Sequence, residues 1–232
     1  MMSNQDVGFI LSNVPYREYD AMVLFLGKEY GLLRFVLRGY YRPAAKQTSL
    51  GLEFTQVRLR FTYHENRLLR IQNGELVNAY SNFRSDYDWL IQMSLVTELI
   101  NRFYDKKDRD YWYNLMDSLF ESMSLEKIIL MLVSLIKKLG ITPHISSCVM
   151  SGSGVVSDFS VEKGGFVSKQ YRTHGSVVDL EMLQMIRSLF THKDFKILYL
   201  ENYKDTKKLA NLLIQYLEYH EGIRLNSWKL MY

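Results

Sequence analysis

One cysteine, Cys148, stands in 232 residues, which excludes an intrachain disulfide framework and a zinc site built on several thiols. Only three prolines occur, with no low-complexity tract, so the composition gives no sign of a disordered chain. The longest apolar stretch, Ile128 to Ile136, is interrupted by Ser134 and far too short to span a bilayer. The N-terminus lacks a basic segment leading into an apolar core. Together these absences predict a cytoplasmic chain with no membrane attachment. Walker-type phosphate loops, GxGxxG, HExxH and GxSxG are all missing, which removes the usual support for ATP-driven and simple hydrolytic chemistry. His64, His144, His174, His192 and His220 are scattered without metal-ligand spacing and read as loop or helix-surface residues. Asp86, Asp88, Asp105, Asp108 and Asp110 stand at helix starts or in a charged loop, where capping and solvation account for them better than a bound cation. No catalytic residue, cofactor or enzymatic turnover is expected.

What the chain does contain changes character near residue 80. From Val7 to about Asn78, five β-rich runs are separated by turns, the count of a small closed barrel. The clearest is Thr55 to Tyr63, where Val57, Leu59, Phe61 and Tyr63 alternate with Gln56, Arg58, Arg60 and Thr62. Period two sends the apolar set to the core and both arginines to the opposite face. After about Ser85 the period becomes 3.6, with Trp89, Met93, Val96, Ile100 and Phe103 forming one helical stripe. A second helix follows through Trp112, Met116 and Phe120, beyond a charged run at 105–110 read as a solvated loop. A third is delimited by Ser124 as cap and Gly140 as stop, with Lys137 and Lys138 in its negative last turn. Residues 148–175 are rich in Gly and Ser and read as hairpins inserted between helices. Helical pattern returns at 180–190 and 209–220. The chain is thus expected to be α+β: a barrel domain over 1–80 and a mostly helical domain over 81–232.

A net charge of +4 is mild, but its distribution is uneven: ten cations stand against seven carboxylates through residue 80, and nineteen against eighteen beyond. Arg34, Arg38, Tyr40, Tyr41, Arg42, Lys46, Arg58 and Arg60 fall in barrel strands or in the loop from Gly39 to Gly51. Cations on phosphates and rings under bases are how single strands are held. The same residues also fit a plainer arrangement in which rings fill the barrel and arginines solvate it. Spacing alone leaves both open.

The stretch from Gly8 to Pro43 resembles the opening of the RecO family, with Tyr16, Glu18, Asp20, Gly31, Arg38, Gly39 and Arg42 in the matching order; Tyr41 replaces a usual basic residue. Residues 139–171 resemble the same family's segment from a Leu-Gly-x-x-Pro helix end into two Cys-x-x-Cys pairs. Of those four thiols only Cys148 is present, with Ser151, Ser168 and Tyr171 at the other places, donors poorly suited to zinc. Gly222, Leu225 and Ser227 match the family's last segment. The resemblance implies an N-terminal five-stranded OB-fold barrel and a helical domain whose zinc-ribbon-like β excursion has lost its metal. It also implies a nucleoid-associated recombination mediator that binds single- and double-stranded DNA and anneals complementary strands. With RecR, such a protein helps load RecA onto strands coated with single-stranded-DNA-binding protein. It favours Arg38, Arg42 and Lys46 as phosphate contacts and Tyr40 or Tyr41 as a stacking ring, with Arg58 and Arg60 secondary. The alternative is a protein-interaction scaffold of a repair complex with little DNA affinity; an enzyme of unrecognised class is a third, weaker reading.

Overall fold

The computed structural model describes residues 3–43, 45, 47–64, 68–172, 178–192 and 197–231. Lys46, His174 and most of the turn at 64–67 lie outside the described residues. The chain divides into two compact units, 1–123 with 227–232, and 124–226.

The first unit is built on strands β1 (Asn4–Tyr16), β2 (Asp20–Gly27), β3 (Gly31–Leu37), β4 (Thr55–Phe61) and β5 (Leu69–Asn78), closed into a barrel in the order β1-β2-β3-β5-β4. That order is the OB arrangement, so both the strand count and the fold class expected from the sequence are found. Alternation places Ile10, Val23, Phe25, Phe35, Val57, Leu59 and Phe61 inside. Closure between β3 and β5 is parallel and rests on two residue pairs, Phe35 with Leu69 and Val36 with Arg70. Leu50, from a 3-10 turn at Thr48–Gly51, joins the barrel core.

β1 from Gly8 to Leu11 and β2 from Val23 to Gly27 are buried on both faces, which is why these stretches read as apolar runs instead of alternating. Helices α1 (Tyr87–Phe103) and α2 (Arg109–Glu121) supply the outer cover. Phe9 stacks on Phe120 at 4.8 Å and meets Tyr113 at 5.4 Å, while Phe54 meets Trp89 edge-on at 5.7 Å. Such ring pairs add about 0.5–1.5 kcal/mol each beyond their buried area. Asp86 caps α1 by accepting from the Trp89 N–H at 3.1 Å. The charged run before α2 forms a 3-10 turn at Lys106–Asp108, and Arg109 donates to the Glu29 carbonyl of the β2–β3 turn, so this stretch is tied to the barrel and is more than a solvated loop. Asp6, almost fully buried, accepts N–H bonds from Val7, Glu29 and Tyr30 and fixes that same turn. Ser227 donates from its N–H and hydroxyl to Glu98 of α1, at 3.1 and 2.9 Å.

In the second unit α3 (Leu125–Lys138) packs on α6 (Thr206–Glu221) and α4 (Leu180–Thr191), with a single turn α5 (Leu198–Glu201) between them in sequence. Ser124 caps α3. Gly140, at φ 75°, ends it in a Schellman motif, with Ile141 N–H on the Ile136 carbonyl and Gly140 N–H on that of Lys137. Lys137 serves the end of α4 as well as its own helix, donating to the Leu189 carbonyl at 3.0 Å. Among the described residues the inserted segment is one hairpin, β6 (Asp158–Ser160) with β7 (Gly165–Val167), plus a bridge from His144 to Gly165. From α6, Tyr216 donates to the Ile141 carbonyl at 2.8 Å, and His220 Nε2 lies 2.9 Å from the Val161 carbonyl. His220 is therefore half-buried and engaged, unlike the surface histidine expected.

Candidate nucleic-acid interface

Two register endpoints build the patch. β1 and β2 stop pairing at Tyr16 and Asp20, and β2 and β3 at Ala21 and Leu37, so the tip at 17–19 and the segment from Arg38 onward leave the barrel at the same end. They are then bonded together. Asp20 accepts the Gly39 N–H at 2.8 Å, and the Tyr41 N–H donates to the Tyr19 carbonyl at 3.0 Å. The Arg42 guanidinium lies over the Tyr19 ring at 5.3 Å and that of Arg17 over Tyr16 at 5.2 Å. Arg17 is held at φ 57°, a conformation that a non-glycine residue adopts only when its turn demands it.

The two adjacent tyrosines have different environments. Tyr40 is half-buried against the barrel core, so close to Gly51 that a Cβ there would meet its ring at 2.6 Å; burial pushes its phenol pKa up. Tyr41 is 44% exposed and touches Tyr40 edge-on at 4.9 Å; Tyr19 is 40% exposed. The rings available to an outside partner are therefore Tyr41 and Tyr19. Arg38 and Arg42 are both exposed beside them.

The other expected cations are distributed elsewhere. Arg34 lies on β3, four residues before Arg38, which stands just beyond the end of the strand. It donates to Asn101 of α1 at 3.0 Å in a groove of about 420 Å³. Arg58 and Arg60 sit on β4, separated from β3 by β5 in the barrel order. Arg58 pairs with Glu75 of β5, and the Arg60 Nε donates to Gln5 at 2.9 Å. The structure thus gathers Arg38, Tyr40, Tyr41 and Arg42, adds Arg17 and Tyr19, and leaves Arg34, Arg58 and Arg60 apart. The signal for the added pair was the Tyr-x-Glu-x-Asp turn, a landmark that sequence reading treats as a turn instead of a surface.

In the second unit Cys148 is buried, and its Sγ accepts the Ser168 N–H at 3.2 Å. Burial pushes the thiol up, but the polar groups of Ser151 and Ser168 near the sulfur, the Ser168 N–H among them, outweigh it and bring its pKa down to about 6. Three of the four positions at which the resemblance expects thiols, Cys148, Ser151 and Ser168, therefore lie together, while Tyr171 has the Lys163 ammonium over its ring at 5.8 Å. Among the described residues no group of three or more His, Cys, Asp or Glu is placed to hold a metal ion, and no helix is long and apolar enough to cross a membrane.

A barrel of this strand order, followed by helices and carrying an aromatic and cationic patch at one end, defines the class as an OB-fold protein with a helical remainder. Residues 1–80 match the family model for the N-terminal part of Recombination protein O, and residues 84–229 that for its C-terminal part. Similar relatives include the DNA repair protein RecO of Exiguobacterium sibiricum, 24% identical with 99% of this chain and 96% of the relative covered. That of Halalkalibacterium halodurans is 25% identical with 99% and 94% covered, and that of Thermodesulfovibrio yellowstonii 23% with 91% and 89%. The chain belongs to the RecO family of DNA repair proteins.

Proposed function

We propose that this protein binds single- and double-stranded DNA at the open end of its barrel, anneals complementary strands and, with RecR, helps load RecA onto strands coated with single-stranded-DNA-binding protein. The observation that carries this reading is that Arg17, Arg38 and Arg42 stand at the same end of the barrel as the exposed rings of Tyr19 and Tyr41. Guanidinium groups neutralise phosphates without reading sequence, and rings accept any base, which suits a mediator that acts on every gap. Two strands held on cations also repel each other less, so annealing needs no chemical step. Arg34, Arg58, Arg60 and Lys46 enter the proposal as flanking cations. The barrel at 1–80 takes the DNA role and the chain from 81 onward the partner role, in a nucleoid-associated protein of the cytoplasm that needs neither metal nor cofactor.

Anisotropy of a labelled single-stranded oligonucleotide, titrated at several salt concentrations, tests the reading. Binding that weakens steeply with salt supports it. Absence of binding at low salt by the folded protein would favour the interaction scaffold instead.

A further inference from the structure

Strand β5 pairs with β4 from residue 71 to residue 78, yet meets β3 only at Leu69 and Arg70. No main-chain hydrogen bond from another described residue reaches its second edge beyond that point. Every residue from Gln72 to Asn78 is exposed, including Leu76 at 40% and Val77 at 44%. Edge strands are usually protected by lysine, proline or a covering element, because their free N–H and C=O groups template another strand. β5 contains neither lysine nor proline; the 3-10 turn at Thr48–Gly51 touches it, with Leu50 beside Gly74, and bulges interrupt its pairing with β4 on either side of Asn73 to Leu76, yet its residues from Gln72 to Asn78 stay exposed.

The strand runs into a cavity of about 590 Å³ lined by Asn78, Tyr80, Phe83, Asp117, Phe120 and Glu121 among others. Its floor is aromatic: Tyr80 stacks on Phe120 at 4.3 Å, and Phe83 on Trp89 at 5.8 Å. Tyr80 adopts φ 48°, an uncommon conformation for a side chain of its size, secured by its N–H donating to the Asn78 side chain at 2.9 Å. At the mouth stand Asp117 and Glu121, neither of which is ion-paired among the described residues. Burial first, and then Asp117, Tyr113 and Glu121, push the Tyr80 phenol up to about 12.

We propose that the free edge of β5 and the cavity at its end dock an extended, basic segment of a partner protein, which adds a strand to the barrel and places a lysine or arginine between the aromatic floor and the two carboxylates. Main-chain bonds along such an edge supply affinity and the end pocket supplies selectivity. Carboxylates over an aromatic floor attract a cation twice, by charge and by the ring faces, and they repel phosphate. That charge is opposite in sign to the arginine patch around Tyr19 and Tyr41, so the occupant is a protein segment and not nucleic acid.

The test uses a fluorescein-labelled octapeptide alternating valine or threonine with lysine, against the full chain. Three comparisons are made: the same peptide with glutamate for lysine, the same peptide N-methylated at alternate residues, and the Asp117→Lys/Glu121→Lys variant. The variant changes surface charge on α2, and circular dichroism checks that it folds. The expected result is binding of the lysine peptide that weakens at least tenfold in each comparison. Equal binding of lysine and glutamate peptides, indifference to N-methylation, or unchanged binding by the folded variant would overturn the proposal. So would concentration-dependent self-association in sedimentation that the variant abolishes, because a second copy would then be the occupant.

Discussion

Tyr40 and Tyr41 are neighbours in sequence with opposite roles in the structure, and truncating each to alanine separates the roles. Tyr41 is exposed and touches little beyond the Tyr40 edge and a long 3.4 Å contact to Asn13, so Tyr41→Ala should leave the fold intact. If its ring stacks under a base, the loss is about 1–3 kcal/mol of binding, or roughly 5- to 150-fold in affinity. Tyr40→Ala removes a half-buried ring that packs on Gly51 and Leu37 at the end of the barrel. Full burial of an aromatic ring would cost about 3–5 kcal/mol on truncation, and half-burial brings this to roughly 2 kcal/mol, a fall in Tm of about 4–8 °C. The assay is paired: oligonucleotide anisotropy and thermal unfolding on both variants. Loss of affinity without a change in Tm for Tyr41→Ala, and the Tm change for Tyr40→Ala, is the expected pattern. A Tyr41→Ala variant that binds as the parent does, or a Tyr40→Ala variant with the parental Tm, would refute the assignment.

Further outcomes follow from single groups. Asp6→Asn should destabilise the fold by about 1–3 kcal/mol in urea unfolding, since one of the N–H groups now bonded to the carboxylate would face an amide donor. Because burial raises the folded Asp6 pKa above 3.8, its ionisation disfavours the folded state; the parent's advantage over Asp6→Asn should shrink as pH rises from about 3.8 through the raised value. An advantage that grows over that window would contradict the burial argument. Thiolate absorbance of folded Cys148 should appear with a midpoint near pH 6, and a midpoint above 8 would show that the polar groups of Ser151 and Ser168 do not stabilise the anion. Elemental analysis of protein purified without chelator should find no stoichiometric zinc, and one zinc per chain would overturn the reading of Ser151, Ser168 and Tyr171 as lost ligands.

Much of the fold was legible because its signals are local. Alternation in β4, the stripe from Trp89 to Phe103 and the Ser124 and Gly140 boundaries of α3 each depend on a few neighbouring residues, and each is found where expected. What escaped was tertiary. The apolar runs in β1 and β2 indicate burial on two faces, but only the folded chain shows that α1 and α2 provide the second cover. The candidate site divides in the same way. Arg38, Tyr41 and Arg42 could be named from sequence, whereas Tyr19 joins them through the register of β2 on β3, and Arg34 is drawn toward α1 by Asn101, 67 residues away.

The central claim is that the arginines at the barrel end neutralise phosphates, and the salt dependence of single-strand binding measures this directly. Three contacts, from Arg17, Arg38 and Arg42, give a slope of log affinity on log salt of roughly −2, so binding should weaken roughly 20-fold between about 50 and about 200 mM salt. The folded Arg38→Glu/Arg42→Glu variant should bind much more weakly, with a slope shallower by about 1.4. A variant with the parent's affinity and slope would place the DNA elsewhere on the molecule and contradict the account.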